Sequence, residues 1–170
     1  AYTVLDFVLL GRAPHLGALR RPGRKDVDSG LAALDALGIP HLADKPYTEI
    51  SGGERQQAQI ARAVCQDPRI ILFDEPTAHL DYGNQHRILL LAKRLAAQGF
   101  SAVITTHNPD HALLLGGRAA VLGQDGSLVC GEAAEMITEP RMRALYKTQM
   151  RIAFVPEAGR VCCLAPALQE

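Results

Sequence analysis

Ser51, Gly52, Gly53 and Glu54 form a pattern suited to holding an anion, and Asp74 with Glu75 form one suited to a metal ion and a water molecule. Ser51 and Glu54 match the S-x-x-E capping box, in which each side chain bonds the other residue's backbone N–H at a helix start. Gly52 and Gly53 put no side chain over the first backbone donors. The helix dipole adds partial positive charge there, so a terminal phosphate fits. A plain capped helix with a flexible start would use the same residues. The carboxylates follow the apolar run Ile70 to Phe73, at the C-terminal end of a strand, where open α/β sheets place their ligands. In phosphoryl transfer one carboxylate at such a point helps hold Mg²⁺ while its neighbour orients and deprotonates the attacking water. The alternative is a solvated acid pair at a strand end. His107 closes a second strand and should reach the same sheet edge, where it can donate to a phosphate or position a water; otherwise it is a loop residue.

The elements that must position these groups follow from periodicity. Thr3 and Asp6 form a T-x-x-D cap on a short helix carrying Val4, Leu5, Phe7, Val8 and Leu9, stopped by Gly11. From Gly11 to Arg24 the chain reads as irregular and basic, either a solvated loop or a surface that meets another protein. A second helix is expected from about Asp26 to Leu37, ending at Gly38 and Pro40. After the helix that starts at Ser51, Ile70 to Phe73 reads as a parallel strand buried on both faces, and Ala102 to Thr105 as a second buried strand. Between them, Ile88, Leu91 and Leu95 recur at helical spacing across Asn84 to Gln98. A short helix around Pro109 to Leu115 precedes a hairpin, Ala119 to Leu122 with Leu128 to Cys130, turning at Gln124 to Ser127. Two short helices broken at Pro140 are expected in Glu132 to Lys147, and a last hairpin around Glu157 to Gly159.

Composition narrows the possible partners. The 170 residues are 48% hydrophobic and 21% charged, enough for a packed core. Lys and Arg total 18 and so do Asp and Glu, which leaves no basic excess to neutralise nucleic acid or an anionic membrane. No apolar run is long enough to span a bilayer. Cys65, Cys130, Cys162 and Cys163 lack zinc-ligand spacing and read as reduced, buried structural thiols. If the last two lie on a strand, they project to opposite faces. The other histidines, His15, His41, His79, His86 and His111, have no ligand spacing and read as structural.

Taken in order along the chain, these pieces resemble the ATP-binding subunit of ABC transporters. Ile50 to Glu54 is similar to the signature LSGGQ, Ile70 to Glu75 to Walker B with its catalytic glutamate, Ala78 to Asp81 to the D-loop, and His107 to the switch histidine. The resemblance implies an incomplete P-loop NTPase-like α/β fold of the ABC ATPase kind: a helical subdomain at 1–50, the signature helix and α/β core at 51–131, and C-terminal helices with a hairpin at 132–170. It implies that Asp74 supports Mg²⁺, that Glu75 activates the hydrolytic water and that His107 contacts the γ-phosphate of ATP. It also implies that Ser51, Gly52, Gly53 and Glu54 bind nucleotide across a dimer interface, where Asp81 couples the two sites. Gly11, Arg12, Pro14 and His15, the segment His41 to Asp44, Leu80, Asn84 and Gln85, and Leu145, Tyr146, Gly159 and Arg160 are similar to importers of iron chelates, haem, cobalamin and molybdate. Such importers join two ATPase subunits to two transmembrane permease subunits at the cytoplasmic face of the membrane, and a binding protein delivers the substrate.

The departures from the family pattern are as informative. No G-x-x-x-x-G-K-S/T sequence occurs, so the phosphate-wrapping P-loop is missing, as is the Q-loop glutamine. The chain therefore reads as the C-terminal part of an ATPase subunit, inactive alone, with an unpaired apolar sheet edge. Glu54 stands where the family more often has glutamine; a capping role would turn its charge back onto the helix start. A soluble ABC-type ATPase acting on nucleic acid or ribosomes, and a non-catalytic interaction module, are the competing expectations.

Overall fold

A computed structural model describes residues 2–17 and 20–167. These fall into two compact units, Ala1–Phe73 with His79–Ile104, and Asp74–Ala78 with Thr105–Glu170.

The first unit begins with helix α1 (Val4–Leu9), closed at its start by a reciprocal cap. Thr3 Oγ1 accepts from the Asp6 N–H at 3.1 Å while the Asp6 carboxylate accepts from the Thr3 N–H at 2.8 Å. A 3-10 helix continues over Leu10–His15, followed by α2 (Arg24–Ala36) and α3 (Gly52–Cys65). Gly11 lies so close to α3 that a Cβ there would run into the Arg62 carbonyl oxygen, so only glycine permits this approach. Of the basic stretch after Gly11, Arg12 and His15 are used internally, while Arg20, Arg21 and Arg24 are exposed. Arg12 donates to Asp26 at 3.1 Å and to the Cys65 carbonyl at 3.1 Å, and His15 Nε2 meets the Gln66 carbonyl at 2.9 Å. Both residues sit on carbonyls at the C-terminal end of α3, which has few donors of its own and carries the negative end of the dipole.

Strand β1 (Ile70–Phe73), helix α4 (Tyr82–Ala97) and strand β2 (Ser101–Ile104) complete the unit. The strands pair in parallel, Ile70 with Ser101 through Phe73 with Ile104. Ile71 and Phe73 enter a core with Ile88, Leu91 and Leu95 of α4 and Ile60, Ala61 and Val64 of α3. The expectation of strands buried on both faces is corrected here. Burial alternates along β1, and Ile70, Leu72 and Val103 on the other face are 58%, 75% and 52% exposed. The apolar exposure therefore falls on a face of the sheet.

The second unit holds α5 (Pro109–Leu115), β3 (Arg118–Leu122), β4 (Leu128–Glu132), α6 (Ala133–Met136), α7 (Glu139–Tyr146), β5 (Arg151–Val155) and β6 (Arg160–Leu164). Both expected hairpins form, with β3 antiparallel to β4 and β5 to β6. Their turns are set by Gly126 (φ 82°) and Gly159 (φ 63°), left-handed positions where a side chain is strained. Pro140 lies in the first turn of α7, where its missing N–H costs nothing. The break between the two helices therefore falls just before it. Cys162 is buried and Cys163 partly so, on opposite faces of β6; Cys130, expected inside, is exposed. Asp110 of α5 ties β6 down: it accepts from Arg160 at 2.6 and 2.9 Å and from the Cys163 N–H at 2.9 Å. The Arg160 guanidinium, followed by that backbone bond, holds its carboxyl below the usual range. No helix among the described residues is long and apolar enough to cross a membrane.

The uncovered face of β1 and β2 should make the 170-residue chain self-associate in solution. Leu72→Lys is expected to reduce that association in light scattering while leaving the helical circular dichroism signal unchanged. A wild-type chain that stays monomeric would contradict the prediction.

Candidate functional site

The parallel register of β1 and β2 sets the second unit's polar cluster. Because Phe73 is level with Ile104, the next residues, Asp74 and Thr105, emerge side by side. Thr105 Oγ1 donates to Asp74 Oδ1 at 2.7 Å and accepts from the Glu75 N–H at 2.9 Å. One hydroxyl thus fixes both acidic residues. Glu75 has φ 41°, in the left-handed region, and is followed by Pro76. A non-glycine residue there carries strain of roughly 1–3 kcal/mol, which the Thr105 bond and a turn closed by Ala78 N–H to the Glu75 carbonyl (3.0 Å) hold in place. Both carboxylates are exposed.

His107 meets this pair. Its Nδ1 lies 3.6 Å from Glu75 Oε2, its side chain is 75% exposed, and its carbonyl accepts from the Tyr146 hydroxyl at 2.6 Å. Behind it, His111 is buried. The Asn108 side chain caps α5, with Oδ1 accepting from the Asp110 N–H at 3.0 Å, so its amide group faces His111 Nε2 at 3.2 Å. That geometry makes Nε2 an acceptor and puts the ring proton on Nδ1, which lies 3.0 Å from Thr106 Oγ1. His111 is therefore neutral, and burial holds its pKa below the ordinary value of 6.5; the nearby Asp110 opposes the shift and His107 adds to it.

In the first unit, the reciprocal capping box at α3 is present. Ser51 Oγ accepts from the Glu54 N–H at 3.3 Å and Glu54 Oε2 accepts from the Ser51 N–H at 2.7 Å, which also holds the Glu54 carboxyl below its usual range. The Glu54 charge does turn back onto the helix start. A Cβ on Gly52 would meet nothing within 4 Å, and one on Gly53 would lie in ordinary contact at 3.6 Å from Asn84 Oδ1. Neither glycine has positive φ. Internal packing therefore gives no reason for either, although glycine destabilises a helix relative to alanine. Asp81 caps α4, with Oδ1 accepting from the Asn84 N–H at 2.8 Å and Oδ2 from Asn84 Nδ2 at 2.6 Å; the backbone bond leads in lowering its pKa. The two helix starts border a groove of about 260 Å³ lined by Ser51, Gly53, Glu54, Gln57, Asn84 and Arg87.

The structure thus brings Asp74, Glu75 and His107 together in one unit, and in the other lines a groove with Ser51, Gly53 and Glu54, while Gly52 and Asp81 lie at the two helix starts beside it. Reading the sequence missed Thr105, Thr106 and Asn108; it took His111 as structural, which its burial bears out, and named Tyr146 only for its likeness to importers. Thr105 had a signal: it follows β2 directly, as Asp74 follows β1. Nothing in the sequence linked Tyr146 to His107, from which it is distant. No cluster of three or more His, Cys, Asp or Glu side chains able to hold a metal occurs among the described residues. A hard cation such as Mg²⁺ takes one or two carboxylates and completes its shell with phosphate oxygens and water. Asp74, exposed and oriented by Thr105, fits that role.

Comparison with known proteins places these features in context. The family model described as ABC transporter matches residues 12–78. The molybdate import ATP-binding protein MolC of Haemophilus influenzae is 37% identical over 151 residues, covering 88% of this chain and 59% of that protein. The hemin import ATP-binding protein HmuV of Myxococcus xanthus is 34% identical over 162 residues, covering 91% and 60%. A solved structure described as an inward-facing conformation of a metal-chelate type ABC transporter superposes with a TM-score of 0.85 at 33% identity, covering 96% of this chain and 66% of that one. The chain spans about three fifths of the length of the curated relatives it matches. The fold is that of a partial ABC ATPase domain.

Two outcomes follow. Gly52→Ala should raise the chain's stability by up to about 1 kcal/mol in chemical denaturation, because alanine is the better helix former and meets no neighbour; destabilisation would contradict this. His111 binds its proton more weakly folded than unfolded, so its stability contribution is full above pH 6.5 and falls as pH drops below it. The melting temperature should decline between pH 7 and pH 5, and His111→Gln should flatten that decline.

Proposed function

We propose, for a chain that belongs to the ABC transporter ATP-binding family, that it takes part in ATP hydrolysis driving import of a metal chelate, haem, cobalamin or molybdate. The observation that carries this reading is the cluster at the ends of β1 and β2, where Thr105 fixes Asp74 and Glu75 and His107 lies 3.6 Å from the Glu75 carboxylate. Glu75 orients and deprotonates the attacking water, and its strained backbone fixes the direction of its side chain. His107 donates to the γ-phosphate. Bound Mg²⁺ would neutralise developing phosphate charge, with Asp74 as its protein ligand.

The Ser51 helix start serves a different nucleotide in this proposal, the one bound by a second copy. Its support is the pair of glycines that internal packing does not require, next to a capped helix N-terminus with Asn84 and Arg87 beside it. Ser51, Gly52, Gly53 and Glu54 then contact phosphate across a homodimer interface, and Asp81 links the two sites. Functionally the chain divides into a helical subdomain at 1–50, the signature and catalytic core at 51–131, and a C-terminal segment at 132–170. The phosphate-binding loop comes from elsewhere in a longer protein, a reading supported by the share of its relatives that this chain spans. The remaining partners are two transmembrane permease subunits at the cytoplasmic face of the membrane and, indirectly, a substrate-binding protein. The equal counts of basic and acidic residues weigh against nucleic acid.

In the complete protein, Glu75→Gln should retain ATP binding and lose hydrolysis by at least about a hundredfold, since it keeps the side chain's shape and removes only the base. Equilibrium nucleotide binding and steady-state phosphate release measure the two halves of that expectation. Unimpaired turnover would remove Glu75 from the role.

A further inference from the structure

The backbone on either side of the His107 imidazole is held by side-chain hydroxyls. Thr105 Oγ1 joins Asp74 to the Glu75 N–H, and Thr106 Oγ1 accepts from the Asn108 N–H at 3.1 Å while facing His111. The third hydroxyl comes from far along the chain: Tyr146, at the end of α7, donates to the His107 carbonyl at 2.6 Å. Thr105 and Thr106 are local to the β2 end, whereas Tyr146 is 39 residues away from its acceptor. The end of α7 is itself fastened. Gln124, in the β3–β4 turn, donates to the Leu145 carbonyl at 2.9 Å, and Lys147 ends the helix in the left-handed conformation with φ 54°. The His107 side chain, by contrast, is mostly exposed and meets Glu75 only at 3.6 Å, too long for a strong hydrogen bond. Its direction is therefore set mainly through its backbone.

We infer that Tyr146 is a positioning residue for His107: its hydroxyl fixes the His107 peptide so that the imidazole stays aimed at the site of the Glu75 carboxylate, making the C-terminal segment part of the hydrolytic machinery. This rests on the ATPase reading of Glu75 and His107 given above. A displacement of a catalytic group by a fraction of its side-chain length lowers turnover without weakening ground-state binding. Tyr146 touches neither Asp74 nor Glu75 through a hydrogen bond that the structure records, so its effect must pass through His107.

The test is steady-state ATPase activity of the complete protein with Tyr146→Phe, His107→Ala and the double variant. Tyr146→Phe should lower kcat about tenfold with KM for ATP within about twofold of wild type. The double variant should be no slower than His107→Ala alone, because the hydroxyl has nothing left to position. Gln124→Met, which releases the end of α7 without touching the ring, should give a smaller loss of the same kind and keeps the inference testable if Tyr146→Phe folds poorly. An inactive His107→Ala beside unchanged Tyr146→Phe and Gln124→Met, or losses that multiply in the double variant, would overturn the positioning role while leaving the ATPase reading intact. A fully active His107→Ala would overturn that reading, and the role of Tyr146 with it.

Discussion

The parallel pairing of β1 with β2 is the constraint on which the candidate site depends. Hydrogen bonds between the strands fix Phe73 level with Ile104, and the chain then has no choice about what emerges next: Asp74 and Thr105 side by side. From that adjacency comes the hydroxyl bridge to Asp74 and to the Glu75 N–H. A slip of one residue would turn every side chain to the opposite face and break the bridge. The register is in turn held by burial of Ile71 and Phe73 against α3 and α4.

The helix ends illustrate a second economy. Thr3, Ser51, Asp81 and Asn108 each start a helix by accepting a backbone N–H, and at Thr3 and Ser51 an acid three residues on completes the exchange. The device is the same, yet only α3 follows its cap with two glycines. Helix formation is weakened there for no gain in packing within the chain. The phosphate contact proposed at this helix N-terminus would account for a residue choice that costs stability without an internal contact.

Exposure on the sheet fits the same picture. Ile70, Leu72 and Val103 face away from the core on strands whose other face is packed, although parallel strands are ordinarily covered on both sides. The relatives are longer than this chain, which spans about three fifths of the curated ones. A protein that leaves such a face open has a strong reason to associate.

The sequence by itself determined the order of elements, the caps at Thr3 and Ser51, both hairpin turns and the candidacy of Asp74, Glu75, His107 and Ser51 to Glu54. Each of these is written in local spacing: a period, a cap three residues long, a glycine at a turn. Local spacing could not tell that one face of β1 lies open, since an apolar run has the same letters whether covered once or twice. Nor could it tell that Arg12 and His15 sit on the end of α3 and not in a solvated loop. The tertiary structure alone decided that Thr105 joins the carboxylates and that Tyr146 holds His107. Those bonds link residues about thirty to forty positions apart, and a hydrogen bond of that range depends on register and helix placement, which only the packed chain sets.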